Sequence, residues 1–313
     1  MRAYVIRRAL LIVPTLLILA LGVLVLASIA PGDPAENYAR LHSSTGFATE
    51  ADIASARHLL GLDRSFPVRY LSWVGGALHG DFGVSFTRNT TVASEIRARV
   101  GATVELAVTS MLITIAVAVP LGTVAAVLHG RAVDHILRFG SLIVASVPGF
   151  FLAYVLIEVF ATRLDLLPVA GNEQATSVLL PAVTLAAAGI AQASRLLRAS
   201  LLEVMGEDYI RTARAKGLSR TAVTIRHALP NAALPVITVL GTLLGYLLAG
   251  SVVIETVYAW PGLGQLLAES VSERDFPMIE GLIVMAGFLF LVINLLVDVC
   301  YRLLDPRVRL QAA

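Results

Sequence analysis

The chain has 313 residues, of which 57% are hydrophobic and only 15% are charged. This composition is typical of integral membrane proteins and excludes an ordinary soluble globular domain. The formal net charge of +2 is too small to indicate a nucleic-acid partner, and the single cysteine, Cys300, excludes an intrachain disulfide and a thiolate metal site.

The N-terminal segment is basic and then apolar. Arg2, Arg7 and Arg8 precede an apolar run over residues 9–30. A cleaved signal peptide is the alternative interpretation, but the run is longer than the usual core of a signal peptide, and Pro31 is unfavourable just after the cleavage site. We therefore expect a first transmembrane helix, preceded by a cytoplasmic tail over residues 1–8.

Residues 31–101 are too mixed in charge to span a membrane, and we expect them to form an extracytoplasmic insertion. Thr49 and Asp52 approximate a capping box, and Gly61 is suited to ending the helix that follows. A second amphipathic helix is predicted over residues 68–78, and both helices are suited to lying along the membrane surface. The apolar faces are formed by Ile53, Ala56 and Leu60 in the first helix and by Val68, Leu71, Val74 and Leu78 in the second.

Five further apolar segments follow the insertion, and some contain proline, which membrane helices tolerate as a kink. With the first span they predict an all-α polytopic protein with six transmembrane helices over residues 9–304. The five predicted spans cover residues 102–128, a segment with Pro148 that ends near residue 161, and residues 178–193, 236–253 and 281–304.

The positive charges predict the orientation of the six spans. They are concentrated before the first span, between the fourth and fifth spans, and in a C-terminal tail over residues 305–313. The short loops on the other side carry only Arg163 and Arg274. By the positive-inside rule, both termini and the central loop over residues 195–235 face the cytoplasm.

The central loop contains the most charged stretch of the chain, residues 207–219, and the only lysine, Lys216. Good helix formers precede Gly217, which suits the left-handed position after a helix, and Ser219 can cap a second helix. We expect Pro230 to stop that second helix. On composition alone, the alternative interpretation is an ordinary basic loop that only obeys the positive-inside rule.

The pattern of this loop resembles the EAA loop of bacterial ABC-importer permeases. In that family a Glu-Ala-Ala triplet is followed at fixed spacing by Gly and then by Ile-x-Leu-Pro. Ala213, Gly217, Leu229 and Pro230 occupy the matching positions, whereas Arg211, Thr212 and His227 depart from the pattern as members of the peptide/nickel branch do. The resemblance implies that the loop inserts into a groove of an ATP-binding subunit. The residues assigned to this role are Asp208, Tyr209, Arg211, Thr212, Ala213, Arg214, Ala215, Lys216, Gly217, Leu218, Leu229 and Pro230.

Other segments extend the resemblance over nearly the whole chain, among them residues 32–35, 80–85 and 255–264. It implies an ABC-importer permease fold in the bacterial inner membrane. The implied partners are a homologous second permease subunit, two ATP-binding subunits that hold ATP-Mg, and an extracytoplasmic solute-binding protein. Short peptides are the preferred substrate class, and nickel or a metal chelate is the alternative.

No motif in the chain indicates catalysis, and we expect no catalytic residue, metal or cofactor here. A membrane-embedded hydrolase would need catalytic residues at membrane depth, and an ion-coupled secondary transporter would need ion sites near the middle of the membrane. Glu105, Glu158 and Asp298 lie in or near spans, and structural roles are the preferred interpretation for each.

The fifth predicted span carries small residues at helical spacing, which let helix backbones approach closely. They could pack within this subunit, or they could line the pathway against a second permease, as the resemblance implies. The residues are Gly241, Gly245, Ala249 and Gly250. The aromatic residues Tyr258 and Trp260, which follow this span, are suited to anchoring at the membrane interface.

Overall fold

The computed structural model describes residues 2–29, 32–43 and 46–304. Regular structure in these ranges is α-helical, apart from one isolated antiparallel bridge between Val84 and Thr91, so the predicted all-α class is confirmed. The helices are α1 (Arg2–Ile29), α2 (Pro34–His42), α3 (Glu50–Leu59), α4 (Phe66–Leu78), α5 (Val92–Val127), α6 (Ala132–Ser146), α7 (Gly149–Leu156), α8 (Leu179–Val204), α9 (Asp208–Ala215), α10 (Arg220–Val223), α11 (Leu229–Gly250), α12 (Val252–Val257), α13 (Leu263–Glu273) and α14 (Phe276–Leu304).

Among the described residues, five helices are long and apolar enough to cross a membrane, and a sixth span results if α6 and α7 are counted together. Helix α7 continues into a π-helical turn over Ile157–Arg163, and the α6–α7 pair is bent by 103° at its break. Pro148 lies at this break, so the predicted kink in the third span is a sharp change of direction. The second predicted span begins earlier than residue 102, because α5 continues outward through charged residues to Val92.

The chain divides into two compact units. Unit 1 comprises Met1–Thr103 and Pro261–Leu291, and unit 2 comprises Val104–Trp260 and Val292–Ala313. The boundaries of the predicted transmembrane domain, residues 9–304, stay a prediction, as do those of the insertion and of the two tails.

In unit 1, the predicted helices of the insertion are present. Thr49 Oγ1 accepts a hydrogen bond from Asp52 N at 3.3 Å, and Asp52 Oδ2 accepts one from Thr49 N at 3.0 Å, which confirms the capping box. A hydrogen bond that Thr49 Oγ1 donates to Asp52 Oδ2 at 2.6 Å, together with the one from Thr49 N, holds the pKa of Asp52 below its usual value. Gly61 has φ +64° after α3, as expected of a residue that ends a helix.

The two amphipathic faces differ in burial. Ala56 is buried with Ala35 and Ala39 of α2, and Ile53 packs against the same cluster. In contrast, Val68, Leu71 and Leu78 on α4 are exposed. The predicted amphipathic helix is therefore confirmed at α4, and its apolar face is left open.

In unit 2, buried small and aliphatic residues form two clusters. One joins α5, α8, α9 and α11, and the other joins α7, α8 and α12 around Tyr258. The Tyr258 hydroxyl lies 2.9 Å from Thr184 Oγ1 and donates to Ala153 O at 3.3 Å. Tyr258 and Trp260 are only 1% and 2% exposed, so the prediction that they anchor at the membrane interface is wrong.

Candidate functional site

The candidate site is the central loop of unit 2. Helix α8 extends beyond the apolar span through Arg195 and Arg198 to Val204, and a short turn connects it to α9. The first residues of the predicted central loop therefore belong to the helix of the fourth span.

Two buried residues attach α9 to the rest of unit 2. Ile210 is fully buried and Ala213 is nearly so, and they lie three positions apart on one face of the helix. They join a cluster that includes Leu197 and Leu201 of α8 and Val223 of α10. Burial of a side chain such as Ile210 contributes about 1.5–3 kcal/mol, which is sufficient to orient a short helix.

The remaining side chains of α9 and of the turn after it face outward. This exposed face consists of Asp208, Tyr209, Arg211, Thr212, Arg214, Ala215, Lys216 and Leu218. Arg211 and Asp208 form an exposed ion pair at 3.2 Å, and Arg214 contacts the sulfur of Met205 at 3.6 Å. An eight-residue helix that is held by two residues and exposes all the others is suited to contacting a partner.

The turn after α9 has the predicted geometry. Gly217 has φ +82°, the left-handed region that only glycine adopts without strain. Ser219 Oγ accepts a hydrogen bond from Ala222 N at 3.3 Å and caps α10. A Cβ on Gly217 would meet no atom within 4 Å, so the backbone conformation alone requires glycine here.

The prediction that Pro230 stops the second helix is wrong. A π-helical turn over Thr224–Ala228 connects α10 to α11, and the whole stretch Arg220–Leu247 is one candidate span. In this turn Leu229 N donates to Thr224 O, five residues back, and Asn231 Nδ2 donates to His227 O at 2.9 Å. The wide turn removes the clash that a proline ring would otherwise make with the preceding turn, so the helix continues past Pro230. Pro230 is exposed, and Leu229 packs against the cluster that holds α9.

An ion pair on the α8 side of the loop was not predicted. Arg198 donates to both carboxylate oxygens of Asp134, and Gly130 N donates to the same carboxylate at 3.0 Å. Arg198 lies within the predicted central loop, whereas no role was predicted for Asp134. The sequence feature that could have indicated its role is the position of Asp134, an acidic residue in the first turn of an apolar helix.

The small residues of the fifth span are partly described. Gly241 and Gly245 are buried, and a Cβ on Gly241 would overlap the side chain of Val297 on α14. Gly241 therefore allows close contact between α11 and α14 within this subunit. Ala249 and Gly250 end α11, but the surroundings of their side chains lie outside the described part of the structure.

Two of the three acidic residues singled out in or near the spans have side chains that the structure describes. Glu105 is exposed on α5, and exposed Glu158 accepts a hydrogen bond from Arg163 at 2.9 Å. The Asp298 side chain and its predicted partner Arg302 lie outside the described residues. Within residues 2–29, 32–43 and 46–304, no group of three or more His, Cys, Asp or Glu side chains could hold a metal ion.

Comparisons with known proteins match nearly the whole chain. Residues 118–310 match the family model for the binding-protein-dependent transport system inner membrane component, and residues 1–107 match the model of its N-terminal region. The "Glutathione transport system permease protein GsiC" of Escherichia coli (strain K12) is 40% identical over 309 residues, and the alignment covers 98% of each chain. The protein of the same name from Salmonella typhi is 39% identical with the same coverage.

The fold is similar to that of solved transporter structures. Two crystal forms described as inward-facing conformations of the MetNI methionine ABC transporter contain a chain of similar fold, with TM-scores of 0.56 and 0.57. Each is 19% identical in sequence, and the match covers 67% of this chain and 96% of the other. At this identity the similarity concerns the fold alone.

Proposed function

The chain belongs to the family of binding-protein-dependent transport system inner membrane components, and we propose that it forms half of the translocation pathway for short peptides. As a member of this family it is a multi-pass permease subunit of an ABC importer in the inner membrane, and it is not itself an enzyme. An importer of this kind also comprises a partner permease, an ATPase and a binding protein. We propose that the partners are one homologous permease, two ATP-binding subunits that carry ATP-Mg, and an extracytoplasmic binding protein.

We also propose that this chain couples its transport pathway to ATP hydrolysis by a partner subunit. The single observation that supports this role is the exposed face of α9. Ile210 and Ala213 fix the helix to unit 2, whereas its other side chains are available to a partner. A rigid attachment is needed because a loose helix could not transmit movement from a partner to the spans. We propose that the exposed residues of α9 and its following turn dock on an ATP-binding subunit.

The cluster beneath α9 supports the next step of the coupling. It includes Ala118 and Ala126 of α5, Leu197 and Leu201 of α8, and Val236 of α11. Displacement of α9 would therefore act directly on three spans of unit 2, because close-packed interiors transmit strain.

The proposed orientation follows from the same interface. If α9 contacts an ATP-binding subunit, then the central loop and both termini lie on the cytoplasmic side, and the insertion with α2–α4 lies outside. The distribution of Arg and Lys supports this orientation independently.

The choice of short peptides rests on relatives named for glutathione transport, since glutathione is a tripeptide. We propose peptides of this size as the substrate class. The alternative substrate is nickel or a metal chelate, and the uptake test below distinguishes the two.

The test is uptake by the complete importer reconstituted in vesicles with its own binding protein. We expect uptake of labelled glutathione or dipeptides that requires ATP and stops when the ATP-binding subunits carry a catalytic substitution. Uptake that persists without ATP but follows an ion gradient would instead indicate a secondary transporter. ATP-dependent uptake of nickel in the absence of peptide uptake would overturn the substrate assignment alone.

A further inference from the structure

A cavity of about 1060 Å³ lies entirely within unit 1. Its wall is formed by the end of α1, by α4, by the loop after α4, and by the start of α14. The volume is at the upper end of the range for small-molecule sites in proteins. None of the residues proposed for contact with an ATP-binding subunit lines this cavity.

Charges of both signs line the cavity. Arg57, Arg64 and Arg69 contribute three positive charges, and Asp33, Asp81 and Glu280 contribute three negative charges. Arg57 pairs with Asp33, whereas Arg69 and Glu280, both half-buried, have no salt-bridge partner within the described part of the chain. Arg69 and Glu280 attract each other electrostatically across the lining. A lining with formal charge zero, in which groups of opposite sign face each other, favours a zwitterionic ligand over a net anion or cation.

One buried donor in the wall lacks an acceptor. The Nε1 atom of Trp73 is buried and has no hydrogen-bond partner among the described residues. An unsatisfied buried donor costs about 1–3 kcal/mol, so an acceptor on a bound ligand would remove this cost. The Trp73 ring is held edge-on against Phe82, with ring centroids 6.2 Å apart.

The loop that follows α4 is rigidly held. Asp275 is fully buried and accepts hydrogen bonds from Ser85 Oγ at 2.5 Å and from Thr87 Oγ1 at 3.1 Å. Arg88 of the same loop pairs with Glu269 of α13 at 2.7 Å. These contacts fix the loop that carries Phe82, so the cavity is formed before any ligand binds.

The cavity lies at the end of two candidate spans. Leu24 and Ser28 of α1 and Phe276 and Glu280 of α14 line it, and these residues are at the end of one span and the start of another. If these candidate spans cross the bilayer with the proposed orientation, the cavity lies where an apolar helix surface meets lipid headgroups.

Helix α4 connects the cavity to the apolar region. The Tyr70 hydroxyl donates to Leu17 O at 3.0 Å, and Leu17 lies in the middle of the first candidate span. Leu17 and Ile29 are about 18 Å apart along the axis of α1, because an α-helix rises about 1.5 Å per residue. Since α4 lies beside the apolar part of α1 and leaves Val68 and Leu71 exposed, its open face is suited to contact with acyl chains.

From the charges, the free donor and the depth, we propose that this cavity binds the headgroup of a zwitterionic phospholipid from the outer leaflet. The phosphate lies toward Arg69 and Trp73 Nε1, and the ammonium group lies toward Glu280. The acyl chains extend along α4 and the adjoining surface of α1. A soluble peptide has the same pair of charges, but it would leave the apolar face of α4 uncovered.

The experiment uses the intrinsic fluorescence of Trp73 in the complete importer. Trp73 and Trp260 are the two tryptophans of this chain, so Trp260→Phe, with tryptophans of the partner chains replaced by phenylalanine, leaves Trp73 as the reporter. The importer is placed in vesicles that contain brominated phosphatidylethanolamine or, in the matched series, brominated phosphatidylglycerol. The bromine is placed on the acyl carbons next to the glycerol backbone, which lie nearest the proposed phosphate position, because bromine quenches a tryptophan that it contacts.

We expect brominated phosphatidylethanolamine to quench Trp73 several-fold more than brominated phosphatidylglycerol at equal mole fraction. Arg69→Gln and Glu280→Gln should each abolish this preference, whereas Arg97→Gln, which changes an exposed arginine on α5, should keep it. If a variant assembles poorly, native mass spectrometry gives a second readout. The amount of phosphatidylethanolamine that co-purifies with the Trp73→Phe importer should be lower than the amount that co-purifies with the parent importer.

Equal quenching by the two lipids in the parent protein would overturn the proposal. So would a saturable change in Trp73 fluorescence on adding a dipeptide or inorganic phosphate without any lipid preference, because the site would then bind a soluble ligand. Neither result bears on the uptake assay, so this inference and the proposed transport function can fail independently.

Discussion

Arg198 Nε and Nη2 donate to the two carboxylate oxygens of Asp134 at 2.6 and 2.8 Å. The Asp134 side chain is 1% exposed and that of Arg198 is 15% exposed, so water screens this pair weakly. His129 Nδ1 lies 3.3 Å from the same carboxylate. Because the partners belong to α6 and α8, the pair fixes α8 shortly before the loop that carries α9.

Removal of Arg198 should therefore destabilise unit 2. Arg198→Ala leaves a buried carboxylate without its cation, a change that typically costs about 3–5 kcal/mol. The measurement is the free energy of unfolding of the purified chain in mixed micelles. Arg195→Ala is the matched control, since Arg195 is exposed and its Nε donates only to Ala191 O. Equal stability of the two variants would contradict the assigned role of the pair.

Substitution of Gly217 should impair coupling while leaving membrane insertion intact. At φ +82° a β-branched residue is strained by more than the roughly 1–2 kcal/mol typical of L-residues in this region. We expect Gly217→Val to reduce uptake strongly, and Gly217→Asn to retain most of it, because asparagine tolerates the left-handed region. The two variants are compared for uptake and for ATPase stimulation by the binding protein. Normal values for both quantities in Gly217→Val would show that the turn is not needed.

Gly241 should be replaceable only when its neighbour becomes smaller. A Cβ at this position would overlap Val297, and overpacking of this kind costs about 1–3 kcal/mol. We expect Gly241→Ala to lower the thermal unfolding midpoint of the purified chain, and the double variant with Val297→Ala to recover part of the loss. If the second substitution only added to the loss, direct contact between the two positions would be refuted.

Cysteine labelling tests the proposed orientation. In a Cys300→Ala background, single cysteines replace Ala54 on α3 and Ser219 in the central loop, both exposed positions. An impermeant thiol reagent should label Ala54→Cys in intact cells and Ser219→Cys only after permeabilisation. Labelling of both from the same side would be incompatible with the six-span topology.

Much of the fold was predictable because its signals are local. The capping box of Thr49 and Asp52, the glycine turn at Gly217 and the apolar runs of the spans each depend on neighbours in sequence. The exposed face of α9 was not predicted from spacing. Ala213 was assigned to the contact with an ATP-binding subunit because of the family resemblance, whereas the structure buries it together with Ile210.

Features that depend on distant residues were missed. Asp134 and Arg198 are far apart in sequence, and no periodic pattern links them. Pro230 was expected to end a helix because the usual penalty assumes a regular α-helix, whereas the π-helical turn before it relieves the clash. Tyr258 and Trp260 are of the residue types that anchor helices at a membrane interface. Tyr258 is buried because it packs against Thr184 and Ala153, which are distant in sequence.

The central claim is that α9 docks on an ATP-binding subunit, and photo-crosslinking tests it most directly. A photoreactive phenylalanine analogue is placed at exposed Thr212 on α9 and, as a control, at exposed Ala54 on α3, in cells that express the complete importer. The account predicts that Thr212 crosslinks to the ATP-binding subunit in a product identified by mass spectrometry, and that Ala54 gives no such product. Absence of the ATP-binding subunit from the Thr212 products, in an importer that still takes up substrate, would contradict it.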